Sequence, residues 1–348
     1  MKVSVIAVAS MKVTLKMMLA VGFVVFSVNA IASSSAVNGT QDYVGRADVD
    51  TFIDEMVNDH QFSREDMRAW FSQAVKKQNI LEAIARPAEK THTWASYQDI
   101  FLTSSRLSKG VDFWIENEET LARAEEEFGV PASVIVAIIG VETRYGGNKG
   151  SFRVIDALST LGFDYPPRAS FFRKELKEFF LLAREQKQDP MTLIGSYAGA
   201  MGYGQFIPSS YRAYAIDYTN DEFADIWNNA TDAIGSVANY FKRHGWEKGQ
   251  PVIVRTRISD SYDESILNDS LKPKHTVNSL AEKGYTPIAP LAQQTANAIR
   301  LEGKKGTEFW IGLNNYYVIT RYNHSRLYAM SVWQLSQQIA EAKQQRSP

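Results

Sequence analysis

The chain has 348 residues, of which 45% are hydrophobic, 22% charged and 12% aromatic, with a net charge of −1 and no cysteine. Near-neutrality excludes an electrostatic grip on nucleic acid or anionic lipid, and the missing thiols exclude disulfides, thiol catalysis and a lipid-bearing cysteine. The length exceeds what one compact core usually supports, so roughly two or three packed subdomains are expected.

Lys12 and Lys16 precede an apolar run from Met17 to Val28, and Ala30-Ile31-Ala32 supplies a small-x-small cleavage pattern, so residues 1–32 read as a signal peptide. Met11-Lys12-Val13 repeats the opening Met1-Lys2-Val3 and offers a second start. The alternative, a retained anchor, is opposed by a run too short for a comfortable bilayer span. The reading is therefore export, to the periplasm, of a soluble chain with no stable membrane anchor. Residues 33–48 open with small polar residues and read as a disordered lead-in.

Residues 49–128 read as a helical domain. Phe52, Ile53, Met56 and Val57 form one stripe; Ser63 and Asp66 approximate a capping box; Arg86-Pro87 ends a short helix. Trp94 and Tyr97 introduce an aromatic pair, and residues 111–128 read as one long amphipathic helix closed by Gly129. Its glutamates, including Glu118, Glu125 and Glu127, read as a solvated face.

From Val134 to Val141 every residue is apolar or glycine, following Pro131, which suits a first helical turn. A helix apolar all round is buried all round, yet it ends on Glu142. Ile135, Ile138 and Ile139 share that residue's face. A carboxyl delivered there should be desolvated and its pKa raised, as a general acid near neutral pH requires. The competing reading is a helix-end Glu that turns outward or pairs with Arg144.

Gly146 to Gly150 is a flexible loop, and helices follow at residues 154–161 and 169–186. The run Gly195 to Ser210 has four glycines and two alanines in its first ten residues, so it lines a cleft with backbone rather than building a core. It lacks the lysine and preceding apolar strand of a phosphate cradle. Asp217-Tyr218-Thr219-Asn220-Asp221 places oxygens at alternate positions, as a calcium loop does, but Glu222 stands where a turning glycine is expected and Asn228 where an acidic ligand is. Residues 208–216 and 232–244 read as helices, the second capped by Thr231 and closed by Gly245. The catalytic core is thus placed at 129–250. Residues 251–320 read as a small α+β insertion: strands at 252–258, 298–301 and 308–313, a short helix at 277–283, and a turn at Asn314-Asn315 leading into a hairpin strand at 316–320. Residues 321–348 return through Tyr322-Asn323-His324-Ser325 into a last helix at 327–342.

Val141 to Gly146, Ser196 to Ser210, Trp227 with Asp232 to Phe241, and Tyr322 to Ser325 resemble, in order and spacing, the motifs of the B-type lytic murein transglycosylases, glycoside hydrolase family 103. The resemblance runs from about Val49 to the C-terminus. It implies a mainly α protein with a lysozyme-like core, helical flanks and a small β-containing part. It also implies cleavage of the MurNAc-β-1,4-GlcNAc bond of peptidoglycan with formation of 1,6-anhydro-MurNAc ends. Glu142 matches the family's single catalytic acid, which gives its proton to the glycosidic oxygen and takes one back as the muramic 6-hydroxyl attacks C1. Tyr97, Ser196, Gln205, Tyr240, Tyr322, Asn323 and Tyr328 match glycan-contacting positions. Asp217, Thr219, Asp221, the Phe223 carbonyl and Asp232 match a calcium site of some relatives. No cofactor is required on this reading, and calcium binding is expected to be of the millimolar class or absent. The implied partners are glycan strands and other cell-wall enzymes, approached as a monomer. Two other readings stand beside it: a muramidase of the same fold that uses water, which calls for a second carboxylate facing Glu142, and a non-catalytic glycan-binding envelope scaffold. A metal-dependent peptidase is opposed by the absence of an HExxH pattern.

Overall fold

A computed structural model describes residues 41–85 and 92–346; the leader, the Arg86-Pro87 pair and residues 33–40 of the lead-in lie outside them. The first four helices are α1 (Ala47–His60), α2 (Arg64–Gln73), α3 (Gln78–Ala85) and α4 (Trp94–Phe101). Within residues 41–48, expected as lead-in, Tyr43 and Arg46 are instead tied to the fold. Tyr43 is buried edge-on against Phe71 and tilted against Phe163, and Arg46 pairs with Asp164. Ser63 caps α2 by accepting the Asp66 N–H.

The single helix expected over 111–128 is two, α5 (Ser104–Glu116) and α6 (Glu118–Phe128). Asn117 separates them at φ −120°, its side-chain amide donating to the Phe113 carbonyl. This is the local competition with the helix ladder that disfavours Asn inside helices. α7 (Ala132–Thr143) follows, and every residue in it except Glu142 is buried. Its first N–H is met by Glu125, so one of the α6 glutamates is a cap rather than a solvated charge.

Strand β1 (Phe152–Arg153) leads into α8 (Val154–Asp164), and α9 (Ala169–Glu185) packs back along it. β2 (Ile194–Gly195) pairs with β1. α10 (Pro208–Tyr214) and α11 (Ala230–Arg243) complete this region. The cap of α11 is Asn229, which accepts the Thr231 and Asp232 N–H groups, and not Thr231.

Beyond it lie β3 (Ile253–Ile258), β4 (His275–Thr276), α12 (Val277–Glu282), β5 (Tyr285–Pro287), β6 (Thr295–Gly303) and β7 (Gly306–Gly312). They form an antiparallel sheet in the order β4-β6-β7-β3-β5. The hairpin is β6–β7, turning at Gly303 to Gly306, and the strand expected at 316–320 is instead helix α13 (Asn314–Tyr322). Asn315 is no turn residue. It is fully buried, accepts the Glu247 N–H and donates to the Glu247 and Gln250 carbonyls. α14 (Arg326–Arg346) closes the chain and runs alongside α7 and α5.

Among the described residues one apolar cluster extends from Tyr43 to Ile339 and takes in helices on both sides of residue 129. A second, smaller cluster (Ile266, Val277, Leu280, Tyr285, Ala296, Ala298, Ile311 and Leu313) lies on one face of the sheet. The opposite face sends Ile253, Ile299 and Leu301 into the main cluster. The β6–β7 tip reaches α4, where the Lys304 N–H meets the Gln98 side chain and Lys304 pairs with Asp99.

Candidate active site

α7 is rigid because its apolar residues are enclosed on every side, each such side chain contributing about 1.5–3 kcal/mol. Its C-terminal end is fixed with equal care. Arg144, Tyr145 and Gly146 all adopt positive φ (53°, 62° and 84°), so the chain reverses directly after Glu142 and Thr143. The Thr143 hydroxyl donates towards the Ile139 and Tyr203 carbonyls and accepts the Gly146 N–H. The Tyr145 hydroxyl donates to the Arg106 carbonyl, and its ring fills a slot over Gly140 and Gly110. A Cβ at either glycine would lie 2.4–2.5 Å from that hydroxyl. Arg106, itself buried, donates to the Gly140 carbonyl. Sequence reasoning missed Arg106, Thr143 and Tyr145. The available signal was a glycine inside an apolar helix, which loses about 1 kcal/mol against alanine and so calls for a packing reason.

Glu142 therefore points away from the core it grows out of, with part of the residue reaching solvent. Its Oε1 accepts a 2.6 Å hydrogen bond from the Tyr328 hydroxyl. Burial raises its pKa from 4.5 to about 7, and the Tyr328 bond pulls in the opposite direction. No Asp or Glu enters among the groups that shift it.

Tyr240 on α11 and Tyr322 on α13 stand with Tyr328 around this carboxyl, whose charge helps raise the pKa of all three hydroxyls. The Tyr240 and Tyr322 rings are 4.7 Å apart. Their hydroxyls donate to the Arg321 and Gly204 carbonyls, so they brace the wall behind Glu142. Ser196 turns the glycine-rich run back on itself by accepting the Ala200 N–H. Gln205, at φ +50°, donates to the Lys149 and Gly202 carbonyls. Gly202 in that run sits at φ +67°, where a Cβ would lie 2.3 Å from the Ile226 carbonyl oxygen. Tyr97 shares a hydrogen bond with Ser325, and Asn323 spans the extended step between α13 and α14. Six of the eight residues expected at the glycan site thus lie on α7, α11, the glycine-rich run and the α13–α14 junction; Tyr97 comes from α4 and Tyr328 from α14.

The acidic loop is a separate feature. Carboxylate oxygens of Asp217, Asp221 and Asp232 lie within 4.8 Å of one another. Asp232 is fully buried and accepts from Tyr218 N, Thr219 N, the Thr219 hydroxyl and Asp225 N. Asp217 accepts from Asp221 N and Glu222 N. Glu222 takes φ +75° in the place of a glycine, its carboxylate turned out beside Lys187. The Phe223 carbonyl accepts the Asp225 N–H. The three carboxylates suit a hard divalent cation.

The chain matches the transglycosylase SLT domain family over residues 45–337. It is 44% identical over 314 residues to the membrane-bound lytic murein transglycosylase B of Escherichia coli (strain K12), covering 87% of this chain and 86% of that protein. The soluble lytic transglycosylase SltB1 of Pseudomonas aeruginosa is 54% identical with a TM-score of 0.82, over 85% of this chain and 99% of that one. The Escherichia coli lytic transglycosylase Slt35, solved in complex with calcium, is 45% identical with a TM-score of 0.80, over 87% and 95%. The mainly helical core is therefore lysozyme-like in the manner of these enzymes.

Proposed function

We propose a mechanism from the premise that this chain belongs to the transglycosylase SLT domain family and is a lytic murein transglycosylase. The reaction is cleavage of the MurNAc-β-1,4-GlcNAc bond by one carboxyl group. Protonated Glu142 gives its proton to the glycosidic oxygen as the C1–O bond breaks. The substrate's own 2-acetamido oxygen stabilises the cationic C1. The muramic 6-hydroxyl then attacks C1 and returns its proton to Glu142, leaving a 1,6-anhydro ring and an unchanged enzyme. The attacking hydroxyl is tethered, so no water has to be bound.

The observation that carries this reading is the state of Glu142. It is the carboxyl of a half-buried residue, its pKa pushed up to about 7 by burial and hydrogen-bonded by Tyr328, with no Asp or Glu of the described residues among the groups that shift it. Ordinary two-carboxylate glycosidases need a nucleophile or base about 5–9.5 Å away. The tyrosine wall, Gln205 and the backbone of the glycine-rich run would then grip the glycan, with Tyr97, Ser196 and Asn323 at its margins.

The deciding experiment is mass spectrometry of muropeptides released from purified sacculi. Anhydro products about 18 mass units below the hydrolytic ones are expected, from retention of the ring in place of water; reducing ends would establish the muramidase reading instead. Export by cleavage after Ala32 belongs to the same proposal and is checked by the N-terminal sequence of the periplasmic form. Among the described residues no helix is long and apolar enough to cross a membrane. Asp217, Thr219, Asp221, the Phe223 carbonyl and Asp232 would hold calcium as a stabiliser of the loop preceding α11; no step of the reaction passes through it.

A further inference from the structure

A cavity of about 390 Å³ opens where the end of α1, the start of α2 and the end of α9 meet. These helices contribute nothing to the Glu142 site, and α9 packs chiefly on α8 and α10. The cavity floor is aromatic: the half-buried Trp70 indole stacks on Phe180 at 5.4 Å and 18°, beside Phe62. Stacking on Phe180 covers one indole face, and the half-exposed residue lines the cavity. The rim is polar and partly unspent, with Ser63 capping α2 and Lys187 beside Glu222. Among the described residues, Trp70 Nε1 and the Asp66 carboxylate have no protein partner, and neither is buried. Arg184 spends one N–H on the His60 carbonyl while its guanidinium covers the Phe62 ring. Gln188 stands beside it and donates to the Gln186 carbonyl, leaving its amide oxygen available.

An indole floor with a mixed donor and acceptor rim suits one chemistry well. A pyranose lays its C–H face on the ring while hydroxyl and acetamido groups reach carboxylate, guanidinium and amide. A bare apolar ligand would leave this rim unpaired, and a simple anion, though met by Arg184 and Lys187, would leave the indole floor and the Asp66 carboxylate unused. We propose that this cavity is a second, non-catalytic glycan site that binds an N-acetylhexosamine of the murein strand. It lets the enzyme hold its polymer while the Glu142 cleft releases product. The proposal rests on the murein reading above.

The test uses full-length mature protein carrying Glu142→Gln, to stop turnover, in co-sedimentation with glycan strands stripped of stem peptides and with intact sacculi. Trp70→Ala and the double rim variant Asp66→Ala/Gln188→Ala should each weaken binding to stripped strands about tenfold, the scale of one aromatic contact and one or two hydrogen bonds. In the Glu142-intact enzyme the same changes should leave turnover of a short soluble muropeptide unchanged. Asp66 is exposed and Gln188 half-buried, its one side-chain hydrogen bond running to the nearby Gln186 carbonyl, so the double variant keeps a native-like fold even where Trp70→Ala does not. Native-like rim variant with undiminished strand binding overturns the second site. Loss of binding to sacculi but not to stripped strands overturns it in favour of stem-peptide recognition. Failure of the unmutated enzyme to release anhydro-muropeptides would instead strike the murein reading itself.

Discussion

The Tyr328 hydroxyl stands 2.6 Å from Glu142 Oε1 and is the one side chain that draws the carboxyl's pKa back down against its burial. The two residues are 186 positions apart, on α14 and α7, and both elements are packed along each other. The bond favours the charged form, in which Glu142 serves as base, while burial favours the protonated form, in which it serves as acid. A pKa near 7 is the balance of the two.

Tyr328→Phe removes the hydroxyl and keeps the ring. The Glu142 pKa should rise, so the alkaline limb of the activity profile, where the acid is lost, should move to higher pH. The rate at the optimum should fall several-fold as the carboxyl loses its orientation. A pH–rate profile measures both, and a limb that stays in place or moves down refutes the role.

Gly140→Ala is the sharpest test of the slot beneath Glu142. In an exposed helix the change gains about 1 kcal/mol. Here the new Cβ would lie 2.4 Å from the Tyr145 hydroxyl, and overpacking of that kind costs about 1–3 kcal/mol. A lower urea midpoint with unchanged slope is expected, together with lost activity because the α7 end shifts. A variant as stable as the parent would show that Tyr145 does not depend on the glycine.

Much of this was legible in the residues. The apolar run before Glu142 calls for a buried helix, so a desolvated carboxyl is one of two readings that Val134 to Val141 offer, beside a Glu turned outward or paired with Arg144. The partner of that carboxyl could not be read there, since nothing local ties Tyr328 to it. Errors fell where a side chain acts across the fold. Asn315 looks like a turn former, yet its amide is saturated by Glu247 and Gln250, and the segment stays helical. Asn117 was passed over as one more polar residue of an amphipathic stretch, although it ends one helix and begins the next. Tyr240 and Tyr322, which match glycan-contacting positions, also commit their hydroxyls to the Arg321 and Gly204 carbonyls, a use that no local pattern announces.

The acidic loop should respond more to its own hydrogen bonds than to metal. Asp232→Ala removes the acceptor of four donors and should destabilise the protein by about 2–4 kcal/mol in EDTA as well as in calcium. At about 1 mM calcium and a dissociation constant of about 1 mM, binding adds only ~0.4 kcal/mol. Glu222→Gly relieves a side chain held at φ +75°, worth roughly 1 kcal/mol, and should raise the melting point in EDTA. A calcium-dependent rise of many degrees in the parent protein would show tight binding despite Glu222.

Glu142→Gln separates catalysis from stability. Activity should fall by about three decades or more, since the amide keeps the shape and cannot transfer the proton. Stability should move the other way, and only at higher pH. A carboxyl whose folded pKa is raised from 4.5 to about 7 favours the folded state fully below 4.5. That advantage is lost as pH rises through 7, where the unfolded chain already carries the charge and the native site must accept it. At about 1.36 kcal/mol per pH unit the ceiling on this penalty is ~3 kcal/mol. The neutral amide carries no such penalty, and its oxygen still accepts the Tyr328 hydroxyl. Thermal melts of parent and variant should therefore nearly coincide at pH 4 and diverge through the interval from 4.5 to 7. Above pH 7 the variant should be the more stable. Equal melting points at pH 8 would show that the Glu142 carboxylate is well solvated in the native protein, and the general-acid assignment would fall with it.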